Sequence, residues 1–232
     1  MSWAVAGESY RAGLLGQPAS AVSSLAFVAA GAGILVARSR TGTGWPIRIR
    51  GRQTTFGLLV AGVGVGSFVQ HGPHPAWQAY AHDLPLAAVL VFVATDAVSD
   101  LSGRELSPRW WVVPSLAMLP VVAAGPTAST AVQAALASAA VGLSLLRVRQ
   151  RPELRATVIA ALASAAAGAT LGRLLDRTTL HHPAGLVQGH ALWHLLAAAA
   201  LWRLAPAVGA RRQLRSTTPA DEEVPANPHP QQ

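Results

Sequence analysis

Seven apolar stretches, each about long enough to cross a bilayer as a helix, occupy this chain almost from end to end. They fall at residues 18–37, 54–71, 83–99, 110–125, 128–147, 154–173 and 185–203. Hydrocarbon offers the backbone no hydrogen-bond partner, so runs of this length predict helices. The chain is 51% hydrophobic and only 12% charged, about half the charged fraction of a soluble domain. The spacing is even and no long polar linker interrupts it. The reading is therefore an all-α polytopic membrane protein, a seven-transmembrane-helix bundle in one domain over residues 1–215. Residues 216–232, with Asp221-Glu222-Glu223 among prolines, read as a disordered tail.

The net charge is +8 and every basic residue is Arg. A nucleic-acid surface would gather these arginines into one patch; here they sit in the short connections between apolar runs. Fifteen of them (38, 40, 48, 50, 52, 104, 109, 147, 149, 151, 155, 203, 211, 212 and 215) lie on one side of the predicted bundle. Only Arg11, Arg173 and Arg177 lie on the other. The positive-inside rule then puts the N-terminus outside and the C-terminus in the cytoplasm, and nucleic acid is not a partner. The Lys-free, Ala- and Arg-rich composition points to a GC-rich bacterial genome, hence a bacterial plasma membrane. No Cys is present, so disulfides and thiolate ligands are excluded. No basic stretch precedes the first apolar run, as a signal peptide requires. Oligomeric state is not encoded in any of these features.

Ionisable residues inside such runs are costly and mark functional sites. His71 closes the second run, in Ser67-Phe68-Val69-Gln70-His71; His190 and His194 open the seventh, in His190-Ala191-Leu192-Trp193-His194. Residues four apart share a helix face, so each pair can serve one ligand. With the topology above, all three imidazoles fall at one depth near the outer face. Three imidazoles with an open position form the ligand set of a catalytic zinc. Asp83, at the start of the third run, is predicted either to cap that helix or to take a proton from water at the metal; the roles are compatible. Ser67 either donates to a developing oxyanion or bonds back to the carbonyl of Val63. His74 and His82 lie in the short outer loop, either as hydrogen-bond partners of the site's residues or as solvated side chains. His181-His182 and His229 read as exposed. Asp96, about 20 Å deeper than Asp83, is expected to pair with an Arg.

Ser67-x3-His71, the later Asp83-Leu84-Pro85, and His190-x3-His194 near the last helix resemble the three signatures of the alkaline ceramidases. These belong to the CREST superfamily of seven-helix membrane hydrolases, with the adiponectin-type receptors. The order and the helix placement match, so the resemblance covers most of the chain. It implies a zinc-dependent amide hydrolase acting on ceramide-like N-acyl lipids of the membrane. His71, His190 and His194 would bind zinc, Asp83 would act on the water, and Ser67 would assist at the oxyanion. Glu8 and the stretch from Gln17 to Phe27 also resemble the start of bacterial members. Eukaryotic members bind calcium through a Trp-Cys-Glu type segment; here only Trp3 and Glu8 echo it, which leaves calcium doubtful. An Asn of the first helix is replaced by Ser20. Two other readings stay open at this point: a receptor-like protein with a structural metal, and a haem protein using these histidines as axial ligands.

Overall fold

A computed structural model describes residues 8–40, 47–180 and 182–210. The expected tail at 216–232, His181, His229 and Trp3 lie outside the described residues. Among those described, all regular structure is helical: α1 Pro18–Arg40, α2 Ile47–His71, α3 Gln78–Leu101, α4 Arg109–Leu116, α5 Met118–Ala123, α6 Pro126–Gln150, α7 Arg155–Leu175 and α8 Gly189–Leu204. Short 3-10 turns follow α6 at Pro152–Leu154 and α8 at Ala205–Ala207. Each of the seven apolar stretches contains helix. Four segments are long and apolar enough to cross a membrane on their own: Pro18–Ala37, Gln78–Leu101, Pro126–Gln150 and Pro152–Leu175. This marks the chain as membrane-type.

The remaining stretches fall short for local reasons. The fourth is split at Ala117 into α4 and α5. Pro120 has no N–H for the carbonyl of Leu116 and its ring crowds that carbonyl, so the helix breaks one turn upstream. α2 begins seven residues earlier than its apolar run, in an Arg-bearing turn, and its apolar part is interrupted by glycines and ends in Gln70-His71. α8 has only 16 residues and spends two of them on histidine.

The helices pack as neighbours in the order α7, α8, α1, α2, α3, α6, with α4 and α5 against α3. A common core of Phe27, Ile34, Phe56, Val60, Val89 and Phe92 joins α1, α2 and α3, and Ala197 and Ala198 bring α8 onto it. Small residues set the spacing, as packing in lipid requires. A Cβ on Gly172 of α7 would stand 2.6 Å from the carbonyl oxygen of Gly189 at the start of α8. The outer faces of α6 and α7 expose Val141, Leu145, Leu146, Ile159, Leu171 and Leu174, a surface suited to lipid.

At the end of the bundle away from the histidines, charges are buried. Asp96 accepts hydrogen bonds from Arg52 Nε (2.6 Å) on α2 and Arg147 Nη1 (3.1 Å) on α6. Asp100, one turn on, accepts from Arg147 Nε (2.6 Å) and Arg151 Nη1 (2.7 Å). The expected pairing of Asp96 with arginine is thus found, with two partners. The cluster also holds the segment after α8: Gly209 N–H donates to Asp96, and Arg147 Nη2 donates to the carbonyl of Ala210.

Candidate metal centre

Two helix starts and one helix end bring the three histidines together. Asp176, just past α7, accepts the N–H of Gly189 (2.7 Å) and so caps α8 immediately before His190. Gly189 is required there, since a Cβ would come within 1.9 Å of the Gly172 carbonyl oxygen. The start of α1 is capped from a distance. Glu8 accepts the N–H groups of Ala19 and Ser20, both at 2.9 Å, one on each carboxylate oxygen. Those two bonds account for a carboxylate that is 5% exposed. The segment from Glu8 to Gln17 then ties the outer loops: Ser9 N–H donates to Pro183 O (2.8 Å), Arg11 Nη2 to Ala184 O, and Gly16 N–H to Gly72 O (3.0 Å). Gln17 N–H donates to the carbonyl of His71 itself (2.7 Å).

Among the described residues, His71, His190 and His194 each offer a ring nitrogen, and these atoms lie within 4.8 Å of one another. Ring centroids are 4.9 Å apart for His71 and His190, 5.2 Å for His71 and His194, and 4.4 Å for His190 and His194. His71 Nε2 and His190 Nε2 are 3.2 Å apart. Two nitrogens bound to one tetrahedral zinc stand about 3.3 Å apart, so the spacing suits a shared ion.

The rear of two of the rings, His71 and His194, is held by the protein. His71 Nδ1–H donates to Gln17 Oε1 (2.6 Å), and the same amide donates through Nε2 to the carbonyl of Glu8 (2.6 Å). The two bonds fix the amide orientation together. His194 Nδ1 faces Ser23 Oγ (2.9 Å) and the carbonyl of Ser20 (3.1 Å). A carbonyl can only accept, so Nδ1 carries the proton and Nε2 keeps its lone pair. Rear-side partners of this kind orient metal-ligating imidazoles and set their tautomer. The residues present could hold a metal ion.

Ser67 is brought to the same place. Its Oγ lies 2.8 Å from Ser24 Oγ and 3.3 Å from His194 Nε2. Ser24 gives its own proton to the carbonyl of Ser20 (2.7 Å), so Ser67 is the donor in the serine pair. The hydroxyl is thus bonded to Ser24 rather than back to the carbonyl of Val63.

Asp83 is placed differently from the expectation. α3 starts at Gln78, because Gln78-Ala79-Tyr80-Ala81 contains no helix breaker, so Asp83 lies in the second turn and does not cap the helix. Its Oδ2 accepts from Ser129 Oγ on α6 (2.5 Å) and its Oδ1 from His82 Nδ1 (2.7 Å). It is not one of the group of converging ligand atoms. His82, its bonding partner, lies edge-on to His71 with centroids 6.4 Å apart. His74 makes a loop contact, its Nδ1 on the carbonyl of Gln70 (2.6 Å) and its ring against Tyr10. His182 is exposed, as expected.

Sequence reasoning passed over Gln17, Ser23 and Ser24 as site residues. A signal was present: Gln17, Ser20 and Ser24 recur at helical spacing along one face of an apolar run. No protein-family model and no curated protein matches the chain.

Proposed function

We propose that the chain is a zinc-dependent intramembrane hydrolase that cleaves the amide bond of ceramide-like N-acyl lipids. The observation that carries the reading is the convergence of His71, His190 and His194, with rear nitrogens held by Gln17 and Ser20 and no carboxylate among the converging atoms. A structural zinc is enclosed by four protein ligands, whereas a catalytic one keeps a position open. Asp83, the candidate fourth ligand of a receptor-like protein, is bonded to Ser129 and His82 instead. The haem alternative fits poorly, because His71 and His190 nitrogens only 3.2 Å apart leave no space for a macrocycle between them.

An ion held there supplies a Lewis acid for the amide carbonyl and a nucleophile from water near neutral pH. The chain's own residues supply the rest. The oxygen of water bonds to the acyl carbon, the C–N bond breaks, and the amine leaves with a proton. Ser67 Oγ–H, now on Ser24, is placed to donate to the oxygen that gains charge. The proton is handled from the side of the site formed by His82 and Asp83. On this reading α2, α8 and the α4–α5 pair join the four apolar helices as seven crossings, and the arginine asymmetry supports a site near the outer face with the N-terminus outside.

Purified protein loaded with zinc should release fatty acid from long-chain N-acyl lipids, and lose that activity on chelation or with His194→Ala. No hydrolysis across several chain lengths, of amides or esters, overturns the hydrolase reading in favour of the receptor-like one. Reporter fusions test the orientation separately: a C-terminal alkaline phosphatase fusion should be inactive and a C-terminal fluorescent fusion bright.

A further inference from the structure

We propose that His82, not Asp83, is the side chain that meets solvent or substrate over the histidine triad, and that Asp83 is its positioning residue. This rests on the metal-site reading given above.

Both oxygens of Asp83 are committed. Ser129 Oγ donates to Oδ2, and Gln133 Nε2 donates in turn to Ser129 Oγ at 3.0 Å, so the carboxylate is anchored to α6. The remaining oxygen holds His82 Nδ1. With Nδ1–H given to Asp83, the other ring nitrogen of a neutral His82 is a lone-pair acceptor. The ring that carries it stands edge-on to His71 of the triad.

Distance separates the role of His82 from that of a ligand. The centroids within the triad are 4.4–5.2 Å apart, and His82 stands 6.4 Å from His71. The extra ångström or more puts its ring outside a shared ligand shell. It leaves His82 placed to accept a hydrogen bond from a group that the triad itself holds. The His82 side chain is 20% exposed, so such a group can reach it.

The backbone fixes this placement. Pro85 has no N–H to offer the carbonyl of Ala81 one turn back. That freed carbonyl oxygen lies 1.8 Å from where a Cβ on Gly66 would stand, and His82 Cα lies 3.2 Å from the same point. α2 and α3 therefore touch backbone to backbone at His82, beside Ser67. A residue that merely filled a loop would need no such lock.

The test uses full-length protein in detergent, loaded with cobalt(II) as a spectroscopic substitute for zinc. His82→Ala should keep metal content within about twofold of wild type while shifting the visible cobalt spectrum, because the partner of the open position is gone. Added imidazole should return the spectrum toward wild type, and with it part of the hydrolysis, which should otherwise fall about 10²–10⁴-fold. Asp83→Asn should cost less, and imidazole should not rescue it. His82→Phe preserves the ring shape and carries the same test should the alanine variant fold poorly. An unchanged cobalt spectrum in both His82 variants, or a larger loss in Asp83→Asn than in His82→Ala, overturns the assignment. A wild-type protein that binds no cobalt or zinc overturns the metal reading itself. Wild type that binds cobalt but hydrolyses nothing overturns only the hydrolase reading, since the spectrum still decides His82.

Discussion

The histidine cluster around His71 and the arginine–aspartate cluster around Asp96 are both buried in the same bundle, about 20 Å apart along α3. In the second, charge is cancelled where it stands. Arg52, Arg147 and Arg151 face Asp96, Asp100 and Glu153, and backbone groups at Gly209 and Ala210 take further bonds. One nitrogen, Arg52 Nη2, is left buried without a partner, on a guanidinium stacked over Phe92. In the histidine cluster His71 and His194 are bonded from behind, while His71 Nε2 and His190 Nε2 meet 3.2 Å apart. Lone pairs that converge repel unless a proton or a cation lies between them. A network of paired charges ties helices together; converging imidazole nitrogens could hold a metal ion.

That contrast can be broken at either end. The largest effect is expected at Arg147, which is 5% exposed and bridges both aspartates. Removing one partner of a buried pair leaves an uncompensated charge, so Arg147→Ala should lose about 3–5 kcal/mol of stability. The folded fraction should keep its metal stoichiometry. A loss below about 1 kcal/mol in denaturant unfolding would show that the cluster does not hold the bundle. Next comes Gln17, behind His71. Gln17→Ala should weaken metal affinity about 10–100-fold in chelator competition, the usual effect of losing such a partner, with little change in metal-free stability. Equal affinities would mean that the rear-side bonds do not tune the site.

Gly66→Ala tests the α2–α3 contact beside Ser67. Overpacking at that carbonyl should cost about 1–3 kcal/mol. Gly142→Ala on α6 is the control, because nothing lies within 4 Å of its Cβ position. That control should gain up to about 1 kcal/mol from helix propensity. The smallest effect belongs to Glu153, whose side chain is 59% exposed although it pairs with Arg151 at 2.5 Å. Glu153→Ala should change stability by less than about 1 kcal/mol, as solvent screens the pair. A larger loss would extend the buried network to the surface.

The helices were legible in the sequence because hydropathy runs are a direct record of burial in apolar surroundings. Their ends were less so. α2 and α3 both start before their apolar runs, since helix continues through polar residues that lack a breaker, and this moved Asp83 from a cap into the second turn. The triad was legible because histidines four apart on one run, and one at the end of another, have few reasons to be there. The role of Gln17 was not, and His82 was legible only as a loop residue either partnering the ligands or solvated. Their meaning depends on the crossing of α1 and α3 over α2, which is set by packing at Gly66 and by the long-range capping of α1 by Glu8. Which of the neighbours His82 and Asp83 lies against His71 is a one-residue difference below what apolar periodicity can fix.

The most direct test of the central claim is the metal content of the purified protein and of two variants. Elemental analysis should find about one zinc per chain in wild type, and His71→Ala and His194→Ala should each lose most of it while remaining folded. Full metal occupancy in both variants, or a folded wild type that takes up no divalent metal, would contradict the account.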